Sequence, residues 1–516
     1  MKTIGVILVL AIPALARGVS LAAQAVGRTD VAGAGRIRVT FDPRILTWDS
    51  EFTDGGRLAL GRGLSGDTVG GRYIPAVARL EQDLRVASGV SGFVASLGQG
   101  LLSVRQERRS MPVTAELGLT RRLSVSAMVP IVRVATRAHL QLSPTGSNLG
   151  LNPRLTDPFN ANARYQTFFS QFDAALTELD QNIANGMYGC APSTPCAARD
   201  SSAYWHGVRD ALNRSVNGVG VTGQPFLPLD SSDAGEAIAT RLAAAQQKLD
   251  TAYGIVAFTD ALLLPSDSLS AELVEAAIVD GAIGFGYRSA PFRNTWRLNV
   301  GDLELAAKYR VAAGAHYAAA AALLVRLPTG ARDSGLDLLR QSIGDHQLDL
   351  EGRLVQELTV GPLWLNVAVR AGKQRPGTRT RRVAPWDALL VPFAATTTLR
   401  WDPGDYVGVD VAPLVRLARR FGAGFTAGYW TKGRDRYAFL SPQDSLDLAG
   451  RLGLPTPASV LDAGTSERRL RLGFAVTYLG PTVEGGFSIE QTVTGAGVAP
   501  AATVYRIVFR TSRKLF

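Results

Sequence analysis

The chain has 516 residues, of which 46% are hydrophobic and 19% charged, with 54 Gly, 26 Pro, 2 Cys and a formal net charge of +11. This mix suits a large strand-and-loop protein and excludes a disordered one. The basic excess does not point to nucleic acid, because the arginines are spread over strands and loops instead of gathering on one helix or patch; anionic lipid headgroups or anionic solutes fit better.

The first residues, MKTIGVILVLAIPALARGVSLAAQA, join Lys2 to an apolar run from Ile4 to Ala16 and end in Ala23-Gln24-Ala25. That pattern predicts a secretory signal peptide over 1–25, cut after Ala25. No Cys follows the run, so a lipoprotein anchor is not expected. Farther on, no stretch offers the ~20 uninterrupted apolar residues of a spanning helix. The best rival, Val311 to Val325, carries His316 and is mostly alanine. If the chain enters a membrane, it does so with strands.

Strand patterns begin early. In MPVTAELGLT, Met111, Val113, Ala115, Leu117 and Leu119 alternate with polar or small residues, which is the period of a strand with two unlike faces. After the short turn Thr120-Arg121-Arg122, the apolar set runs Leu123, Val125, Ala127, Val129 and Ile131, then switches phase to Val132, Val134, Ala138 and Leu140. A β-bulge at Pro130–Ile131 would explain the slip. On that reading His139, in phase with Arg133 and Arg137, belongs to a lumen wall.

From about 155 to 290 the period becomes helical. Tyr165, Phe168, Phe169, Phe172, Leu176, Leu179 and Ile183 fall on one face, and AYWHGVRDALN, AGEAIATRLAAAQQKLD and SAELVEAAIVDG repeat the pattern. Four amphipathic helices can pack together, which predicts an α-helical insert. In YGCAPSTPCAARD, Cys190 and Cys196 flank a short loop and predict a disulfide in an oxidising compartment.

Alternation then returns. NVGDLELAAKYRV sets Asp302, Glu304, Ala306, Lys308 and Arg310 against Leu303, Leu305, Ala307, Tyr309 and Val311. LDLEGRLVQEL, RRLRLGFAVTY, TVEGGFSIEQTV and TVYRIVFR do the same. In a soluble sandwich the apolar stripe would face a core; in a membrane barrel it faces lipid and the charges face a wet lumen. Segments of about ten residues joined by very short turns favour the barrel.

Candidate strands fall at 36–49, 102–119, 122–142, 297–311, 316–328, 347–360, 362–373, 388–401, 406–417, 420–431, 467–479, 481–494 and 501–515. Thirteen is odd, whereas single-chain bacterial barrels use an even number, so the count merges or misses one strand, between 386 and 431, where the turns at Asp402-Pro403-Gly404-Asp405 and Ala418-Arg419-Arg420 cannot both face the periplasm. The predicted fold is an all-β transmembrane antiparallel barrel of 12 to 14 strands with an α-helical insert. Its organisation is a signal peptide (1–25), first barrel strands and a loop (26–142), a helical extracellular insert acting as cap or plug (143–296), and the remaining strands (297–516).

The segment VGDLELAAKYRVAAGAHYAAAAALLVRLPTG carries Gly301, Asp302, Lys308, Tyr309 and Arg310, then Leu327, Pro328, Thr329 and Gly330. It resembles the hairpin of Gram-negative outer-membrane channel proteins in the family named for the meta-cleavage pathway of phenol degradation. The likeness covers roughly 296–516 and the hairpin at 111–142, and leaves the helical insert outside. Phe516 is similar to the terminal aromatic that the barrel-assembly machinery reads, although Lys514, Ser512 and Arg510 share its phase where apolar residues are usual. The resemblance implies a transporter-like protein of the bacterial outer membrane.

Catalytic signals are sparse. GRGLSG at Gly61–Gly66 fits G-x-G-x-x-G but runs into DTVGGRY instead of a helix, and so reads as a loop. Asp345-His346 is the one suggestive acid–base pair and reads as a solvated loop; no His or Cys has metal-ligand spacing. Neither enzyme activity nor a cofactor is expected. The alternation instead turns Asp302, Glu304, Lys308, Arg310, Asp349, Glu351, Arg353, Glu357, Arg469, Arg471, Glu484, Glu490, Arg506 and Arg510 to the lumen. There they would either pair across it or line a solute path with surplus arginine. The expected role is a passive channel for small compounds, hydrophobic or aromatic ones among them; the alternative is a closed structural or adhesive barrel whose insert binds an extracellular partner. Expected partners are outer-membrane lipid, the barrel-assembly machinery and a small-molecule solute, and no nucleic acid.

Overall fold

The computed structural model describes residues 27–515 except 192–194, 289–291, 332–334, 336, 340, 419 and 481–482, so the predicted signal peptide and Phe516 lie outside the described residues. Twelve antiparallel strands close into a barrel: β1 (Arg36–Phe41 with Arg44–Trp48), β2 (Gln99–Gly118), β3 (Leu123–Ser143), β4 (Thr295–Val300 with Glu304–Ala313), β5 (Tyr317–Arg326), β6 (Asp349–Val360), β7 (Leu363–Gln374), β8 (Tyr406–Ala418), β9 (Phe421–Lys432), β10 (Glu467–Leu479), β11 (Val483–Ala496) and β12 (Thr503–Lys514). Both halves of β1 pair with β2 and with β12, so the sheet has no open edge at that seam.

The thirteenth candidate, 388–401, is not a wall strand. Thr396–Asp402 joins Gly377–Arg382 and Arg436–Phe439 in a separate three-stranded sheet. Its Leu399 and Trp401 are buried in a loop core, whereas a wall strand would expose its apolar set. The count is thus one too many, and not one merged or missed as expected; the surplus candidate falls inside 386–431.

The wall is apolar outside. Leu305, Tyr309, Leu323, Phe425 (72% exposed), Phe474, Ile507 and Phe509 are all solvent-accessible in the isolated chain, while their strand neighbours on the other face are covered. In a membrane that exposed belt meets lipid. No described helix is long and apolar enough to cross a membrane, so the crossing is made by strands. Introducing arginine on the lipid face near the midplane costs roughly 2–4 kcal/mol. Leu305→Arg is therefore expected to reduce the heat-modifiable folded band sharply and Ala306→Arg to leave it nearly intact; equal loss from both would mean the faces are reversed.

One expected feature is absent. The β2–β3 pairing runs without a register shift from Gln99↔Ser143 to Gly118↔Ser124, so no bulge interrupts β3. The phase switch has a different cause: up to Ile131 the apolar residues face lipid, and above it Val132, Val134, Ala138 and Leu140 face inward while Arg133, Arg137 and His139 face out. The strand has left the apolar belt of the bilayer, so polar surroundings replace lipid tails outside and a protein core replaces the lumen inside. His139 is accordingly exposed on the outer surface and lines no lumen.

Short connections after Gly118, Ala313, Val360, Ala418 and Leu479 lie at the end where Arg36 pairs with Lys514, and the long ones lie at the other. The long connection after β3 carries α2 (Pro158–Ala184), α3 (Ala197–Asn217), α4 (Asp233–Tyr253) and α5 (Ala271–Val279). Asp157, Ser232 and Ser270 cap α2, α4 and α5 by accepting a backbone N–H with their side chains. The predicted face of α2 is buried, with Phe172 stacked on Phe258 at 4.4 Å. Cys190 and Cys196 are disulfide-bonded between α2 and α3.

A further helix, α1 (Pro75–Ser88), arises in the β1–β2 connection and packs into the same core, which reaches down to Leu102, Val104, Ala138 and Leu140 at the tips of β2 and β3. The insert is tied to the other long connections as well. Arg214 pairs with Asp83 at 2.7 Å, Val221 N donates to Arg451 O at 2.9 Å, and the buried Arg382 donates to the carbonyls of Phe285 and Gly286. At the end of α5, partial burial opposes the charge on Asp280. The backbone N–H groups of Gly284, Ile283 and Ala282 outweigh that and hold its carboxyl below the usual range, fixing the turn.

Candidate functional site

Residues 27–32 run inside the barrel. Gly27 N donates to Asn366 Oδ1 on β7 at 3.0 Å, and Thr29 Oγ1 donates to Glu357 on β6 at 2.7 Å. Arg28 pairs with Asp30 and with Glu484 on β11; Asp30 pairs with Arg38 on β1 at 2.7 Å; Ala32 N donates to Glu116 on β2 at 3.2 Å. β6 and β7 lie across the sheet order from β1, β2 and β11, so this segment bridges opposite walls. Gly27 permits the closest approach: a Cβ there would sit 3.1 Å from both methyls of Val355. Beside the segment, Trp364, Ala412, Leu414, Ala475 and Leu479 form an apolar cluster on the inner wall, with Arg416 over the indole at 4.7 Å.

The charged residues singled out in the sequence lie as follows. Glu304 and Asp349 share Arg326, at 2.8 and 2.7 Å. Glu351 pairs with Arg353 and accepts from Tyr406 Oη at 2.7 Å. Arg471 reaches both Asp410 and Glu490 at 3.2 Å, Arg469 reaches Glu467 at 3.3 Å, and Arg506 reaches Asp42 at 2.7 Å. Lys308 meets Glu116 at 3.2 Å, and Glu357 and Glu484 hold the inner segment. Arg310 and Arg510 have no carboxylate within ion-pair distance among the described residues, and Arg310 Nε and Arg510 Nη1 lack hydrogen-bond partners. Much of the ladder is thus mutual pairing, with a remainder of positive charge.

Asp302 has a different setting. It is 7% exposed, between the two halves of β4, and accepts from the backbone N–H groups of Gly330 (2.7 Å), Asp345 (2.8 Å) and His346 (3.3 Å). It anchors the β5–β6 connection against β4. His346 is part of that anchor, its Nδ1 lying 2.9 Å from Gly330 O.

The anchored connection replaces a strand. Among the described residues the upper half of β4, Thr295–Val300, pairs with β3 alone, because β5 ends at Arg326 opposite Glu304. The wall is therefore interrupted between β4 and β5 in its outer half, and the open border carries Trp296 (64% exposed), Leu298 and Val300. Above the mouth, five connections line a cavity of about 370 Å³, with Leu60, Arg62, Tyr287, Leu338, Trp386 and Leu461 among its walls.

Several of these groups were missed in the sequence. Glu116, Arg326 and Asp410 alternate in phase within their own strands and could have been added from that signal. Arg28 and Asn366 act through contacts hundreds of positions apart, which no local pattern records.

No family model matches the chain, and no curated protein does. Among solved structures it is similar to an outer-membrane channel from Pseudomonas putida F1, at 7% identity and a TM-score of 0.42 over 94% of this chain and 98% of that one. It is also similar to the Ralstonia pickettii toluene transporter (9%, TM-score 0.30, covering 94% and 90%) and the Pseudomonas putida toluene transporter (10%, 0.26, covering 93% and 89%). At these values the likeness assigns no solute.

Proposed function

We propose that the protein is a passive outer-membrane channel for small, poorly water-soluble compounds, which pass between the lumen and the outer leaflet through the interruption between β4 and β5. The observation that carries this reading is the one-sided pairing of Thr295–Val300, whose exposed apolar side chains Trp296, Leu298 and Val300 stand at the upper margin of the lipid belt, Val300 level with Ile131 and Leu298 with Arg133. A water-filled axial pore is a poorer account, because residues 27–32 cross the lumen and are held to five strands. The resemblance to the phenol-degradation family favours aromatic rings among the compounds carried. The alternative, a closed barrel whose cap binds an extracellular partner, draws on the same crossing segment and on the ties between the insert and the other loops.

A charge placed on the border would obstruct an apolar solute there and nowhere else. Leu298→Glu is expected to lower the uptake of an apolar aromatic by vesicles containing the protein at least several-fold. Val407→Glu, on the outward face at the outer end of β8, is expected to leave it unchanged. Equal uptake by both variants would remove the lateral route.

A further inference from the structure

The outward-facing side chains of β2 and β3 change character where the two strands leave the lipid belt. Met111 and Ile131 are its last apolar members; beyond them come Arg109, Glu107 and Arg105 on β2, and Arg133, Ala135, Arg137 and His139 on β3. The register sets Arg109 directly opposite Arg133 and Arg105 directly opposite Arg137. Like charges directly opposed across a sheet are destabilising, and here two such pairs stand one above the other. A single carboxylate serves the group: Arg109 Nε donates to Glu107 at 2.6 Å. Among the described residues no carboxylate lies within ion-pair distance of Arg105 or Arg137, and Arg133 Nε has no hydrogen-bond partner. The Arg133 guanidinium instead lies 5.1 Å from the ring centroid of the exposed Trp296. Elsewhere along the outer end of the wall, outward charges stand singly, as Lys373 on β7 and Arg468 on β10 do.

The height of this patch identifies what faces it. The lipid-facing run of β3 extends from Leu123 to Ile131, which at ~3.3 Å per residue and a tilt of about 40° spans roughly 20 Å of bilayer normal. That nearly fills the ~25 Å apolar band of such barrels, so the arginine pairs begin at headgroup level. Trp296, beside them, is the side chain that favours this interface.

We propose that the outer face of β2 and β3 is a docking surface for the phosphate groups of an outer-leaflet glycolipid, with Arg105, Arg109, Arg133 and Arg137 as its contacts. Guanidinium groups take phosphate oxygens in a two-pronged geometry, and an anion seated between opposed arginines turns their repulsion into shared attraction. A lipid suits the site better than a protein because the patch is continuous with the lipid belt. A free anion would have no second contact to hold it, whereas a glycolipid is also retained by its acyl chains against Met111, Val129 and Ile131.

The full folded chain in detergent would be titrated with purified lipopolysaccharide and, separately, with the same material stripped of phosphate. Wild-type protein is expected to bind the intact probe at least about 10-fold more tightly than the dephosphorylated one, and the R105Q/R109Q/R133Q/R137Q variant is expected to lose that preference, with its heat-modifiable band as the check on folding. Should that variant not fold, R137Q alone, at the solvent end of the patch, is expected to reduce the preference, and the two-probe comparison on wild type stands by itself. Equal affinity of wild type for both probes, or an unchanged preference in a folded variant, overturns the proposal.

Discussion

Deleting residues 27–33 is expected to raise the single-channel conductance of the reconstituted barrel several-fold while leaving it folded and heat-modifiable. The wall does not depend on this segment, because its hydrogen bonds run between strands and β1 still pairs with both β2 and β12. Glu116 also keeps partners after the deletion, in Arg38 at 3.0 Å, Lys308 at 3.2 Å and Ser124 Oγ at 2.5 Å. Glu357 loses Thr29, and Asn366 loses Gly27 while keeping Gln356 O at 3.5 Å, but both then face water in a widened lumen, which removes most of the burial cost. What changes is the obstruction. A deletion variant that folds and conducts no better than wild type would show that the lumen is blocked elsewhere, and the apolar cluster around Trp364 would be the place to look.

Asp302→Ala is expected to free the β5–β6 connection without unfolding the barrel. One buried carboxylate holds three backbone N–H groups there, and the fit is close: a Cβ on Gly330 or on Gly344 would lie 2.8 Å from an Asp302 carboxylate oxygen. Each orphaned donor costs about 1–3 kcal/mol, so local stability is expected to fall by roughly 3 kcal/mol or more. Hydrogen exchange reads this directly: the amides of Gly330, Asp345 and His346 are expected to exchange about 100-fold faster in the variant, while those of β6 and β7 hold. The same variant is expected to take up apolar solute faster, since the loosened connection borders the interruption in the wall. Unchanged exchange at those amides would assign the anchor to other contacts.

The wall was largely legible because a strand between lipid and water must alternate, and Leu305, Tyr309 and Val311 against Glu304, Lys308 and Arg310 leave little choice. The disulfide was legible from spacing and compartment, and the insert from the 3.6-residue recurrence of Phe168, Phe172 and Leu179. α1 was also within reach: Val77, Leu80 and Leu84 recur at helical spacing between Pro75 at the first turn and Gly89, at φ +73°, after the last. The phase switch in β3 was visible, but a local pattern cannot say whether the strand slipped or its surroundings changed. The least legible features rest on comparing distant segments. The interruption in the wall follows from β4 being long where β5 stops at Arg326. The crossing segment follows from Gly27 meeting Asn366 and Arg28 meeting Glu484. Asp302 carried the alternation like its neighbours, and only the fold of the following connection gave its carboxylate a separate task.

The most direct measurement of the central claim is the flux of two solutes of similar size into vesicles containing the wild-type protein, one an apolar single-ring aromatic and the other a hydrophilic sugar. The protein is expected to accelerate entry of the aromatic well above the protein-free background and to pass the sugar at little more than that background. Equal acceleration of both would mean an open aqueous pore, and acceleration of neither would mean a closed barrel.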